Sequence, residues 1–188
     1  MAASAIENSS GMENPGVTLI LGGARSGKSA HGEALAEGHG GALVYLATAE
    51  ARDPEMTARI AAHRARRGPR WTTIEEPLAL TETLTRHATA GGAVLVDCLT
   101  LWLANLIEAG RDIDAEGAAL AATLTGLPGA AVVVSNEVGL GIVPDNAAAR
   151  AFRDHAGRLH QRIAAVAGSV LFMAAGLPLI LKGKDRDG

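Results

Sequence analysis

The stretch GGARSGKS, from Gly22 to Ser29, combines residue types that hold phosphate groups. It fits the pattern G-x-x-x-x-G-K-[ST], follows the apolar run VTLIL and precedes a helix-forming stretch that begins near Lys28. Backbone N–H groups freed by the glycines, and the positive end of the helix, both favour phosphate oxygens. We expect Lys28 to reach the β- and γ-phosphates while the Ser29 hydroxyl coordinates Mg2+. The alternative is a glycine turn in which Lys28 and Ser29 serve only solubility and capping.

A second candidate metal ligand is Asp97, which ends the apolar run AVLVD. It is predicted at the carboxyl edge of a strand, where ligands of open α/β sheets collect. We predict that the strands at 17–21 and 93–97 are adjacent, so that Ser29 and Asp97 converge on one metal ion. Alternatively, Asp97 caps the helix LTLWLANLI that follows it, and the two roles are compatible.

Positive charge is concentrated in residues 51–71, ARDPEMTARIAAHRARRGPRW, where six arginines stand against two acidic residues. Asp53 and Pro54 predict a helix start, and Gly68 with Pro69 predicts its end. A solvated basic face is the ordinary interpretation of such a run, and an anion-binding face is the alternative. Nearby cations favour a neutral His63 imidazole, which can attack phosphorus.

The loop NEVGLGIVPDN follows another predicted strand end at Ser135. Asn136 and Glu137 are expected at the carboxyl edge of the sheet, where Glu137 can activate a substrate hydroxyl or bind Mg2+. The alternative is a polar loop shaped only by its glycines and by Pro144.

Short apolar runs alternate with alanine-rich stretches of helical spacing, which is typical of a parallel sheet covered on both faces. The predicted strands are 17–21, 42–48, 93–97, 130–135, 169–175 and 177–182. Because the last two are too close for a crossover helix, we expect 177–182 to be an antiparallel edge strand. The predicted fold is α/β, of the P-loop NTPase type (RecA-like), with a mostly parallel sheet flanked by helices. Residues 1–15 are predicted to be a disordered extension and residues 16–188 a single domain.

Composition narrows the possible partners and location. The 188 residues are 48% hydrophobic and 20% charged, with a formal net charge of -3. This balance gives no general attraction to nucleic acid or anionic membranes. The chain has one cysteine, Cys98, which excludes an internal disulfide and suits a reducing compartment. Without a signal peptide or a bilayer-length apolar run, a cytoplasmic protein that binds neither nucleic acid nor membrane is expected.

Six motifs together resemble the bifunctional adenosylcobinamide kinase / adenosylcobinamide-phosphate guanylyltransferase family of cobalamin biosynthesis. In order they are GGARSGKS, YLATAEARDPEM, ARIAAHRARR, VLVDCLTLWLANL, SNEVGLGIVPDN and FRDHAGRLHQRIA. The likeness covers residues 17–182. The phosphate loop alone is shared by very many NTPases, whereas NEVGLGIVP together with ARIAAHRARR is far more specific to this family. It departs from the family at His160, where asparagine is usual, and at Ala148, where a larger apolar residue is usual.

The resemblance implies a two-step activity at one site. In the first step, ATP or GTP phosphorylates the aminopropanol hydroxyl of adenosylcobinamide. In the second step, GMP from GTP is transferred to a histidine, which corresponds to His63, and then to the new phosphate. It implies a homotrimer and a catalytic Lys28. It also implies nucleotide contacts in the phosphate loop, after the second strand, after the histidine and at two acidic positions: Gly22, Gly23, Ala24, Arg25, Ser26, Gly27, Lys28, Ser29, Ala47, Thr48, Ala49, Arg64, Ala65, Arg66, Arg67, Glu75 and Asp97.

Two other functions are compatible with a phosphate loop. A regulatory nucleotide switch would order a loop on binding and transfer no phosphoryl group. A small-metabolite kinase would transfer only the γ-phosphoryl group. Neither has a use for a nucleophilic His63, so a GMP adduct formed from GTP separates both from the bifunctional enzyme.

Overall fold

Seven strands and five helices form the part of the chain that the structure describes, residues 14–49 and 67–183 of a computed structural model. The strands are β1 (Asn14–Gly22), β2 (Leu43–Ala47), β3 (Trp71–Glu75), β4 (Ala93–Asp97), β5 (Ala130–Val134), β6 (Ala167–Ala174) and β7 (Leu177–Lys182). The helices are α1 (Lys28–Glu37), α2 (Leu80–His87), α3 (Leu99–Glu108), α4 (Ile113–Thr125) and α5 (Ala147–Val166). None of these helices is long and apolar enough to span a bilayer.

All seven strands belong to one sheet, in the order β3-β2-β4-β5-β1-β6-β7. Every neighbouring pair is parallel except β6 and β7, which are antiparallel. The predicted mostly parallel α/β fold with an antiparallel C-terminal edge strand is therefore confirmed. Ala175 and Gly176 join β6 to β7 with φ angles of 53° and 82°, the positive values that a tight hairpin requires.

The central strands are continuous apolar runs because helices cover both faces of the sheet. Every residue of β2 and of β5 is buried. Alternate side chains divide between two cores, one packed against α1 around Ile20, Leu95 and Val132, and the other packed against the remaining helices around Leu19, Val96 and Val133. We call the first side of the sheet the α1 face.

The predicted adjacency of the first and fourth strands is wrong. β5 lies between β1 and β4 and pairs in parallel with both, through Leu19 opposite Val133 and Val96 opposite Val133. These strands are all apolar runs buried on both faces, so composition does not distinguish neighbours from next-nearest neighbours. Asp97 nevertheless ends on the α1 face, in line with the α1-face residues of its strand.

Strand β3 was not predicted. Its sequence, WTTIE, is half polar, and its residues are partly or fully exposed because it forms one edge of the sheet. The β-branched run from Thr72 to Ile74, between two prolines, was the available signal. The helix predicted after Asp53 lies outside the described residues as far as Arg66, as does the N-terminal extension as far as residue 13.

Candidate active site

The phosphate-loop residues form the connection from β1 to α1, as predicted. Gly22 ends β1 with φ 150°, and Gly27 precedes α1 with φ 98°. A Cβ at Gly22 would lie 2.5 Å from the Met173 carbonyl oxygen, and a Cβ at Gly27 would lie 3.2 Å from the Gly176 Cα. Backbone conformation and space therefore require glycine at both positions. The Gly176 N–H donates to the Ser26 carbonyl at 3.0 Å, which ties the loop to the β6–β7 turn.

Lys28, the first residue of α1, points back into this loop. Its Nζ donates to the Gly23 carbonyl at 2.6 Å and lies 3.5 Å from the Ser26 Oγ. The residue is only 6% exposed. Burial lowers the pKa of Lys28, and the nearby Cys98 and Asp97 groups partly oppose this shift. The loop thus holds a buried amine that interacts electrostatically with Asp97 and Cys98 at the end of β4.

Asp97 is oriented by a tyrosine on the neighbouring strand. The Tyr45 hydroxyl donates to Asp97 Oδ2 at 2.9 Å. Burial and the Asp97 charge raise the pKa of Tyr45, so the phenol keeps its proton and remains a donor. The following helix has Cys98, not Asp97, at its N-cap, without a side-chain capping bond. The capping alternative for Asp97 is therefore wrong.

Two further predicted residues lie level with Asp97. Ala47 pairs with Glu75 on one side and with Asp97 on the other, so the three end adjacent parallel strands on the same face. The next residue, Thr48, is fully buried, and its hydroxyl donates to the Cys98 carbonyl at 2.7 Å and accepts from the Cys98 N–H at 2.9 Å. Its side chain thus bonds the end of β2 to the end of β4, and Ala49, which follows, is half-buried.

Arg67 joins this group from the end of the basic segment. Its guanidinium lies over the Tyr45 ring, 3.3 Å from the ring centroid, and its Nη1 is 3.7 Å from Glu33 Oε1 on α1. The residue is buried, yet Nε and Nη1 have no hydrogen-bond partner among the described residues. The predicted residues His63, Arg64, Ala65 and Arg66 lie outside the described part of the chain.

A buried polar network behind the site was not predicted. Ser135 Oγ lies 2.7 Å from His160 Nε2 on α5, and His160 Nδ1 lies 3.7 Å from Glu137 Oε2. Burial lowers the pKa of His160, and the Glu137 carboxylate partly opposes this shift. The available signal was the position of His160 on the apolar side of a helix, with Ala156, Leu159 and Ile163.

Known proteins share the sequence of this chain over most of its length. The family model described as cobinamide kinase / cobinamide phosphate guanyltransferase matches residues 18–181. The chain is 54% identical over 168 residues to the bifunctional adenosylcobalamin biosynthesis protein CobP of Pseudomonas aeruginosa, covering 88% of this chain and 97% of that protein. It is 39% identical over 179 residues to the bifunctional adenosylcobalamin biosynthesis protein CobU of Escherichia coli, covering 87% and 98%.

Among solved structures, the flagellar accessory protein FlaH of Methanocaldococcus jannaschii matches with a TM-score of 0.51 at 14% identity. The match covers 94% of this chain and 82% of that one, and at this identity it concerns the fold alone. The shared fold is the mostly parallel seven-stranded α/β sheet described above, with the phosphate loop between β1 and α1. By the extent of the family match and the identity to both relatives, the chain belongs to the cobinamide kinase / cobinamide phosphate guanyltransferase family.

Proposed function

We propose that this chain phosphorylates adenosylcobinamide with ATP or GTP and then transfers GMP from GTP to the new phosphate, through a guanylylated His63. Family membership makes it a bifunctional kinase and guanylyltransferase of adenosylcobalamin biosynthesis. The observation that carries the proposal is the phosphate loop with its buried Lys28, within a chain that the family matches over residues 18–181.

In the kinase step the loop holds the nucleotide phosphates. Backbone N–H groups from Gly23 to Ser29 and the N-terminal end of α1 provide partial positive charge, and Lys28 adds a full one. Lys28 exchanges the Gly23 carbonyl for phosphate oxygens when the nucleotide binds. Phosphoryl transfer depends mainly on such positioning and charge neutralisation.

The residues at this edge of the sheet suit Mg2+. Ser29 and Asp97 offer oxygen ligands, which Mg2+ prefers, and within the described part of the chain Asp97 bonds through Oδ2 to Tyr45, which leaves Oδ1 available there. We propose these two residues as the metal-binding pair, with nucleotide phosphates completing the site. When bound, Mg2+ supplies neutralisation of phosphate charge.

Asp97→Asn is expected to weaken the Mg2+ dependence of GTP binding while leaving metal-free binding unchanged, since the amide keeps the size of the side chain but loses its charge. Titration of a fluorescent GTP analogue at several Mg2+ concentrations measures this. The control is Glu82→Gln, which removes an exposed carboxylate on α2. An Asp97→Asn protein with the Mg2+ dependence of the wild type contradicts the metal role.

In the guanylyl-transfer step we propose that His63 attacks the α-phosphorus of GTP and releases pyrophosphate. Arg64, Ala65, Arg66, Arg67 and Glu75 are proposed nucleotide contacts around it. Support comes from Arg67, which follows His63 by four positions and lies beside Tyr45, the partner of Asp97. A buried guanidinium with two nitrogens that have no hydrogen bond within residues 14–49 and 67–183, one of them 3.7 Å from Glu33, is suited to an anionic ligand.

Incubation with GTP labelled at the α-phosphate tests the function. We expect a labelled protein adduct that is labile in acid and stable in base, as a phosphoramidate on histidine is. Adenosylcobinamide phosphate should then release the label as adenosylcobinamide-GDP. If adenosylcobinamide is phosphorylated without any adduct, the chain is a simple kinase, and if neither occurs with GTP bound, it is a nucleotide switch.

We also propose a cytoplasmic homotrimer. The assembly is implied by the family resemblance, and it is supported by the exposed Leu177, Leu179 and Leu181 on edge strand β7, because exposed apolar edges are usually covered by a partner. A sedimenting mass equal to one 19.2 kDa chain contradicts it.

A further inference from the structure

A series of hydrogen-bonded polar groups lies behind the phosphate loop, on the face of the sheet opposite α1. The Asn136 N–H donates to Thr100 Oγ1 at 2.7 Å, and Thr100 Oγ1 lies 3.1 Å from Ser135 Oγ. Ser135 Oγ lies 2.7 Å from His160 Nε2, and the opposite ring nitrogen faces Glu137. Four groups, from α3, α5 and the loop after β5, are therefore arranged beside a single carboxylate.

The chemistry of the groups favours one direction of hydrogen bonding along this network. A backbone N–H only donates, so Thr100 accepts from Asn136 and its own proton is available for Ser135. Ser135 then donates to Nε2, which leaves the proton of a neutral imidazole on Nδ1, towards Glu137. The reverse direction would set the Nδ1 lone pair against the carboxylate. Each donor polarises the next as far as His160, whose Nδ1 faces Glu137 at 3.7 Å.

Glu137 is also fastened to the phosphate loop. Its N–H donates to the Gly22 carbonyl at 3.0 Å, and its Oε1 accepts from the Gly139 N–H. Oε2 lies 3.7 Å from His160 Nδ1, longer than a hydrogen bond, in a side chain that is 21% exposed. The carboxylate is thus held on one side by the Gly139 N–H, faces His160 on the other and remains partly exposed to solvent, while the Glu137 backbone is bonded to the first glycine of the loop. Contacts of this kind tighten when a substrate binds.

An apolar surface follows Glu137 directly. Val138, Leu140, Ile142 and Val143 are all exposed. Exposed apolar side chains in such a cluster are suited to a bulky organic molecule rather than to nucleotide phosphates. The Glu137 backbone is therefore bonded to the loop that holds the phosphoryl donor, and exposed residues suited to the acceptor follow it directly in the sequence.

We propose that Glu137 is the general base of the kinase step and that His160, backed by Ser135 and Thr100, is its positioning residue. The acceptor hydroxyl gives its proton to the Glu137 carboxylate as its oxygen bonds to the γ-phosphorus. The bond between the γ-phosphorus and its bridging oxygen breaks, and the nucleoside diphosphate leaves with the electron pair. Glu137 returns the proton to water afterwards.

The second reaction has no need of this base. Its acceptor is a phosphate monoester, which is already ionised, so no hydroxyl proton has to be removed. The two activities therefore separate in a Glu137 variant. This inference rests on the proposed kinase activity, and the wild-type protein measured in parallel distinguishes failure of one from failure of the other.

The test uses Glu137→Gln, which keeps the size of the side chain and one acceptor oxygen for the Gly139 N–H but loses basicity. We expect kinase kcat to fall by about 100-fold or more, while adduct formation from α-labelled GTP and transfer to supplied adenosylcobinamide phosphate stay at wild-type rates. Retained adduct formation also demonstrates folding. Asp154→Asn, which removes an exposed charge from the same helix as His160, is the control and should keep both activities.

Two results for Glu137→Gln overturn the general base, and one result for the wild-type protein overturns the proposed function instead. Wild-type kinase rates in Glu137→Gln overturn the general base. Loss of both activities with a native melting temperature overturns it as well, since Glu137 would then serve nucleotide binding. If the wild-type protein itself does not phosphorylate adenosylcobinamide, the proposed function fails instead.

His160 is tested by a pair of variants. Asparagine can accept from Ser135 and donate to Glu137, so His160→Asn should retain kinase activity. His160→Leu removes the imidazole from the hydrogen-bonded series that faces Glu137. It should lower kinase kcat with little change in KM or in adduct formation. Equal effects of the two variants, or an effect on KM alone, contradict a positioning role.

Discussion

Lys28→Ala should abolish both the kinase and the guanylyltransferase activity. The Lys28 amine is buried in the phosphate loop, 2.6 Å from the Gly23 carbonyl, where its charge acts at low effective dielectric. Both reactions begin with a nucleotide triphosphate in that loop, so both lose the same neutralising charge. Removal of one preorganised donor from such a site costs about 10²–10³ in rate, and the loss of a full charge is expected to reach the upper end.

Steady-state assays of each reaction, together with GTP affinity, measure the effect. Arg86→Ala is the control, because it removes an exposed positive charge from α2. The Gly23 carbonyl loses a partner in Lys28→Ala, so the melting temperature is measured alongside to confirm that the loop residue, and not the fold, is responsible. Near-normal turnover in either reaction would remove the phosphate loop from that mechanism.

The sequence predicts this part of the site well because its determinants are local. The glycines, Lys28 and the start of α1 lie within one short stretch, and their geometry follows from backbone sterics and from hydrogen bonds near in the chain. The C-terminal hairpin is predicted for the same reason, since a two-residue connection permits only antiparallel strands.

Features that depend on distant parts of the chain were not predicted. The position of β5 between β1 and β4 follows from how whole strands associate, and three equally apolar runs carry no information about their order. His160 meets Ser135 and Glu137 only because α5 docks against the end of β5. No spacing in the sequence indicates that contact.

The two activities should separate in His63→Ala. Phosphoryl transfer to a hydroxyl needs positioning and charge neutralisation, which the loop, the proposed metal pair and Glu137 provide without this imidazole. Guanylyl transfer through a covalent intermediate needs a nucleophile at the α-phosphorus, and the family resemblance assigns that role to His63. We therefore expect the labelled adduct and transfer to adenosylcobinamide phosphate to vanish, while the kinase reaction continues at a measurable rate.

Nucleotide affinity has to be measured with this variant, because Arg67 follows His63 closely and lies over Tyr45 beside Asp97. His39→Ala, in the loop after α1, is the control for loss of an imidazole elsewhere. An adduct that persists in His63→Ala means that the nucleophile is another residue. Loss of both reactions with GTP still bound means that His63 serves more than attack on phosphorus. Glu137→Gln is expected to show the complementary pattern, with the kinase reaction lost and the adduct retained. Together, the two variants would then assign Glu137 to the kinase step and His63 to the guanylyl-transfer step.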